Sequence, residues 1–143
     1  MHCWKDKALD AGLLWMRILM GLTMANIGYA KVFKGGIAQL IPGVEALGFP
    51  APVIFAWLAA LSEFVGGLFI AVGLGTRPAA FFVFFTMCVA FFGALSNHPF
   101  QEKLPAFLYG IIAGTIMLTG AGRFSLDSLL CRKISRSTTG EKP

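Results

Sequence analysis

Charge is scarce in this chain. Of its 143 residues only 13% are Asp, Glu, Lys or Arg, while 57% are hydrophobic. That is too few ionised side chains to hydrate the surface of a water-soluble domain of this size. Ligands for electron carriers are scarcer still. The three cysteines, Cys3, Cys88 and Cys131, form no C-x-x-C pair, which argues against an iron–sulfur centre and against disulfide-forming chemistry. The two histidines, His2 and His98, fall on opposite membrane faces in the topology derived below, which argues against a bis-His haem within one protomer. No acidic residue stands three positions before a histidine, so the ligand pattern of a di-iron helix bundle is missing. A basic stripe with interleaved aromatics is also missing, and nucleic acid is not an expected partner. No metal or covalently held cofactor is expected.

What remains is apolar, and it is organised. Four hydrophobic runs appear once the charges are marked, at 12–33, 52–74, 78–96 and 104–120. Each reaches or approaches the roughly 20 residues that a spanning helix needs, the last being short at about 17. The expected fold is an all-α integral membrane protein, a bundle of four transmembrane helices in one domain over 1–131. The opening Met-His-Cys-Trp-Lys-Asp-Lys resembles the basic start of a signal peptide. The run that follows exceeds the roughly 7 to 15 residues of a signal-peptide core, and no convincing small-x-small cleavage site follows it, so it is read as helix one.

Lys and Arg set the orientation. With four spans, both termini share a side, which holds Lys5, Lys7, Arg77, Arg123, Arg132, Lys133, Arg136 and Lys142. The other side holds Lys34 and Lys103, with Lys31 at the membrane edge. Eight against three places both termini in the cytoplasm. The net charge of +5 is then mainly a topology signal, and its basic tail suits contact with anionic lipid. Residues 132–143 are Ser/Thr-rich and basic and are expected to be disordered. The one substantial connection, 34–51, carries Ile37, Leu40, Ile41, Val44 and Leu47 at helical spacing, which predicts an amphipathic segment in the interface, broken near Pro42-Gly43. It would either roof a cavity between the helices or simply cover the outer end of the bundle.

Glu63 lies in the middle of the second run and Arg17 inside the first. An ionisable side chain at membrane depth is costly and is expected to face a packed interior or a wet cavity, with a partner. In helix one, Arg17, Gly21, Met24, Gly28 and Lys31 share a seam. The second run offers Ala56, Ala59, Glu63, Gly66, Ile70 and Gly73. Small residues let membrane helices approach closely, so these seams are expected to meet and to bring Arg17 to Glu63. Counted from the cytoplasmic edge at 1.5 Å per residue, Arg17 is about 8 Å deep and Glu63 about 16 Å deep, a gap that a long Arg side chain could close. The third run is rich in Phe, expected to face lipid and fill packing space, with Ala79, Val83, Thr86, Ala90 and Gly93 on a slimmer seam. The fourth presents Ala106, Gly110, Ala113, Gly114 and Gly120.

The order of these elements resembles the DoxX family of small four-helix membrane proteins. An Arg-led first helix closes on Gly-Tyr-Ala-Lys-Val-Phe (28–33), followed by Gly48-Phe49-Pro50 and by Ser-Glu-Phe-Val-Gly-Gly (62–67). Then come Gly-Leu-Gly-Thr-Arg (73–77), an outer His98 with Glu102 after it, and Gly-Arg-Phe-Ser-Leu-Asp (122–127). The resemblance runs from Leu13 to Leu130. It implies a four-helix bundle in the inner membrane of a prokaryote. It also implies an association with quinone-linked redox chemistry, since the family is named for a subunit of a thiosulfate:quinone oxidoreductase found with a terminal oxidase.

A quinone site needs donors at the quinone carbonyls, a proton source and an apolar slot. The catalytic candidates are Glu63, Arg17 and Glu102, with the Glu63 carboxylate the candidate proton relay. Lys31, Tyr29 and His98 are candidate quinone or anion contacts, while Asn26 lies across helix one from the charged seam. Two readings stand. In one the chain is the membrane subunit of a quinone-linked oxidoreductase acting on thiosulfate or a related small reductant. In the other it is a non-catalytic accessory or assembly subunit of a larger respiratory complex. Partner subunits or a homo-oligomer are expected in either case.

Overall fold

The structure is a computed structural model that describes residues 2–122 and 125–138, the side chains of 2–6, 132 and 136–138 excepted. His2, Cys3, Lys5, Arg123, Arg132, Arg136 and Lys142, which bear on the charge and cysteine expectations, therefore lie outside the described side chains. Among the described residues six α-helices follow one another: α1 (His2–Phe33), α2 (Ile37–Glu45), α3 (Pro52–Val72), α4 (Thr76–Val89), α5 (Phe100–Thr119) and α6 (Leu126–Thr138). A π-helical turn, Ala90–Ala94, extends α4. Among the described residues three helical stretches are long and apolar enough to cross a bilayer, Lys7–Phe33, Pro52–Val72 and Thr76–Ala94. The fourth helix of the bundle, α5, carries Gln101, Glu102 and Lys103 in its first turn, and its apolar part begins only after them.

Local sequence explains where the helices start and stop. α3 begins at Pro52, where a missing N–H costs nothing. It ends at Gly73, whose φ of +81° lets the chain turn left-handed. The Phe69 carbonyl then accepts the N–H groups of Gly73 (2.8 Å) and Leu74 (3.0 Å), closing the helix end. Gly75, with φ +54°, redirects the chain at once into α4. The three-residue turn makes α3 and α4 antiparallel neighbours.

The tightest contact in the bundle is between α1 and α3. A Cβ on Gly28 would stand 2.3 Å from the Phe64 nitrogen, one on Gly67 2.5 Å from the Ala25 nitrogen, and one on Gly21 2.6 Å from the Ala71 nitrogen. Backbones can approach this closely only where side chains are absent, and the approach gains dispersion contacts that a lipid-embedded helix pair otherwise lacks. The remaining core sits between the helices: Met20 and Met24 of α1, Ile70 of α3, Ala80, Val83 and Met87 of α4, and Ala113 and Ile116 of α5. Phe81, Phe82, Phe85 and Phe92 point outward, while Ala79 and Val83 of the slimmer seam are buried.

Two expectations need correction. The segment over 37–45 is not broken at Pro42 but forms one helix with the proline inside it. Its apolar side decides this, because Ile37 and Val44 are buried with Ala56 and Ala60 of α3, while Pro42 stays exposed. The packing outweighs the single backbone hydrogen bond that proline removes. This helix covers the N-terminal end of α3, and Leu47 just after it rests against Gly93 of the π turn, where a Cβ would be 2.7 Å from the leucine Cδ2. The second correction concerns the tail. The chain from Arg132 is helical as far as Thr138, because the apolar periodicity of 126–134 carries the helix into the basic segment; residues 139–143 lie outside the described set.

Candidate functional site

The intramembrane ions do not meet each other. Glu63 pairs with Lys31, whose Nζ donates to Oε1 at 2.7 Å and to Oε2 at 2.6 Å. The carboxylate side chain is sealed at 3% exposure, whereas the lysine keeps 24%. This leaves one donor direction of the ammonium, which carries three N–H groups, unspent by Glu63. Glu63, one of two buried charged side chains among the described residues, is thus joined to a cation that stays partly exposed, and this pair is the candidate site.

Arg17 has different company. Its guanidinium donates to the Ala121 carbonyl and packs on Gly73, where a Cβ would stand 2.9 Å from both Arg17 Cζ and Ser125 Cβ. The expected Arg17–Glu63 pair is therefore replaced by two separate centres, and helix register is the reason. α1 and α3 are antiparallel with Gly28 at Phe64 and Gly21 at Ala71, so Arg17 falls level with Gly73 and Lys31 with Glu63. Ten residues of helix separate Gly73 from Glu63, about 15 Å at 1.5 Å per residue. Depth counted from the edges of the apolar runs hid this, because α1 continues well past the end of α3 on the Arg17 side.

Arg17 belongs to a clasp that gathers two motifs whose roles the sequence left unassigned. Ser125 caps α6, its Oγ accepting the Ser128 N–H at 3.2 Å while donating to the Gly122 carbonyl at 2.9 Å. Two residues on, Asp127 caps the neighbouring helix: Oδ1 accepts the Gly75 N–H at 2.8 Å and Oδ2 the Thr76 N–H at 3.1 Å. The Asp127 N–H returns to the Gly73 carbonyl at 3.0 Å. Burial works against the charged carboxylate. The N–H groups of Thr76 and Gly75 and the nearby Arg17 outweigh it and hold Asp127 below the usual carboxylate range. The clasp thus ties α1, the α3–α4 turn and the α5–α6 turn at one end of the bundle. An acid that follows Gly-Arg-Phe-Ser at the start of a helix was the available signal, but only contact with Gly75 and Thr76 gives it meaning.

The other candidates lie apart from the Lys31–Glu63 pair. His98 Nδ1 and Glu102 Oε2 meet at 2.6 Å across one turn of the loop and α5, both half-exposed or more. Tyr29 stacks with Phe33 at 4.9 Å and with Phe64 at 6.2 Å between centroids, and Lys34 lies 6.0 Å over its ring. Asn26 is exposed. Midway along α3, Ser62 Oγ meets Thr86 Oγ1 of α4 at 2.7 Å, with Thr86 donating to the Phe82 carbonyl at 2.9 Å, so their hydroxyls join α3 to α4. Among the described residues no group of three or more His, Cys, Asp or Glu is placed to hold a metal ion.

The family model for DoxX matches residues 12–96, from the start of the first apolar run to the end of the third. The chain belongs to the DoxX family. Among curated relatives of this DoxX protein, inner membrane protein YqjF of Escherichia coli (strain K12) is 35% identical over 135 residues, covering 89% of this chain and 98% of the relative. Inner membrane protein YphA of the same organism is 30% identical over 124 residues, covering 80% and 87%. No solved structure matches the chain. A membrane-embedded, all-α DoxX protein is thus the common conclusion of the helices and the relatives.

Proposed function

We propose that this DoxX protein is the membrane subunit of a quinone-linked redox complex, with both termini cytoplasmic and the Lys31–Glu63 pair in the outer half of the bilayer. The observation that carries the reading is the asymmetry of that pair: a sealed carboxylate at 3% exposure joined to an ammonium at 24%. The ammonium has donor capacity left for a quinone carbonyl, and the carboxylate beside it can hold or release a proton. Ser62, Val65, Gly66 and Phe69 of α3 with Pro78, Ala79 and Phe82 of α4 line an apolar groove of about 260 Å³, which suits a hydrocarbon tail. A quinone bound here would supply two-electron acceptance, and the electrons would come from a partner subunit or a small reductant at the outer face. His98 and Glu102, both open to water, are the groups through which protons would exchange there.

The relatives named as inner membrane proteins support the location, and the excess of Lys and Arg at the clasp end supports the orientation. The test is quinone content and turnover of the chain purified from inner membranes with whatever copurifies. Wild type should carry quinone, and Lys31→Met and Glu63→Gln should each lower its occupancy severalfold in protein that still elutes as wild type. Arg17→Lys, which keeps the charge of the clasp, should leave occupancy unchanged. If wild type holds no quinone and contributes nothing to turnover of its complex, the redox reading fails and the chain is an accessory or assembly subunit.

A further inference from the structure

We propose that α6 is an in-plane membrane anchor, its apolar face set into the leaflet at the clasp end and its basic residues holding anionic phospholipid headgroups. The helix presents Leu126, Leu129, Leu130 and Ile134 at exposures of 40, 58, 46 and 65%. Spacings of three, one and four put all of them on one arc. All four side chains stay exposed at the surface of the bundle. α5 ends at Thr119 and α6 begins at Leu126, with its first turn pinned to the α3–α4 turn through Asp127. The apolar arc therefore starts at the level where the spans end, and the medium at that level is lipid.

Charge names the lipid. The acidic residue of the helix, Asp127, spends its carboxylate on the Gly75 and Thr76 N–H groups, which leaves the cations Arg132, Lys133 and Arg136 as the remaining charged residues in the sequence of α6. Lys133 is exposed beside the leucines, where its stem can lie along the acyl boundary with the ammonium at the phosphates. A short amphipathic helix with a basic polar side binds an anionic bilayer surface through both terms, apolar burial and attraction to headgroups. The clasp supplies a third element, holding one end of the helix at the surface before any lipid is bound.

The experiment uses the full chain in nanodiscs of phosphatidylcholine with or without phosphatidylglycerol, Cys3, Cys88 and Cys131 having been replaced by Ala. A nitroxide is attached after Leu129→Cys, Leu130→Cys, Ile134→Cys, Ser128→Cys or Ser135→Cys, and each chain is kept only if it elutes as wild type. Collision with oxygen should exceed collision with a water-soluble nickel chelate at 129, 130 and 134, and the order should reverse at 128 and 135. Phosphatidylglycerol should sharpen the contrast severalfold. Combining Arg132→Gln, Lys133→Gln and Arg136→Gln should remove that sharpening. A flat pattern along the helix overturns the in-plane placement, and low access to both reagents at the apolar positions overturns it in favour of a protein partner or a second copy. Equal contrast in both lipids overturns recognition of the anionic headgroup.

Discussion

Removing one member of the Lys31–Glu63 pair should destabilise the bundle in a manner that depends on which member is lost. Both Glu63 oxygens accept from Lys31, at 2.6 and 2.7 Å, and the carboxylate has almost no other contact with the outside at 3% exposure. Lys31→Met therefore strands a buried carboxylate, a change that costs roughly 3 to 5 kcal/mol in such settings. Glu63→Gln leaves a neutral amide and an ammonium with a path outward, so its cost should be nearer the roughly 1 to 3 kcal/mol of an unsatisfied buried polar group. The double variant, with neither charge to strand, should lose less than the sum by about 1 to 3 kcal/mol. Unfolding in mixed micelles, followed by tryptophan fluorescence, measures all four corners of the cycle. A parallel cycle of Arg17→Gln with Glu63→Gln should be additive within about 0.5 kcal/mol, because sites more than roughly 10 Å apart with no shared partner rarely couple. Additivity in the first cycle, or strong coupling in the second, would refute the placement of the two centres.

Two other perturbations test the crossing and the clasp. Gly67→Ala puts a Cβ 2.5 Å from the Ala25 nitrogen and 2.7 Å from the Gly21 oxygen, so α1 and α3 must part and stability should fall by about 1 to 3 kcal/mol. Gly12→Ala on α1 meets nothing within 4 Å, and thermal unfolding should find it neutral or up to about 1 kcal/mol more stable. Asp127→Asn should cost about 0.5 to 2 kcal/mol through the weakened cap of α4. Because the Asp127 carboxyl is held below its usual range in the folded chain, its contribution is present above the unfolded value of about 4 and fades as pH falls through the lower folded value. Wild type should thus lose stability on acidification below about pH 4 more steeply than Asp127→Asn in the same scan.

Some of this was legible in the residues alone. Hydrophobic runs of spanning length determine a helical membrane bundle, since a backbone in lipid must satisfy its own hydrogen bonds. The Gly21 and Gly28 positions foretell that α1 approaches α3 closely, although on α3 the close approach falls at Gly67 and not at the expected Gly66, which faces Val83 of α4. The outward Phe residues of α4 follow from their bulk opposite a slim seam. A buried partner for Glu63 was required by its cost alone. Which cation fills that role was not, because a seam fixes the face of a helix but not how far the facing helix has slid along it. Arg17 and Lys31 share the seam of α1, and only the antiparallel register of Gly28 with Phe64 and Gly21 with Ala71 sends Lys31 to Glu63 and Arg17 to Ala121 and Gly73. Pro42 misled for a related reason: its local preference is to break the helix, and burial of Ile37 and Val44 against α3 overrides it. The clasp was least visible. Asp127 stands 51 residues after Thr76 in the chain, and its meaning as a cap for α4 exists only where three chain segments converge, which no local pattern encodes.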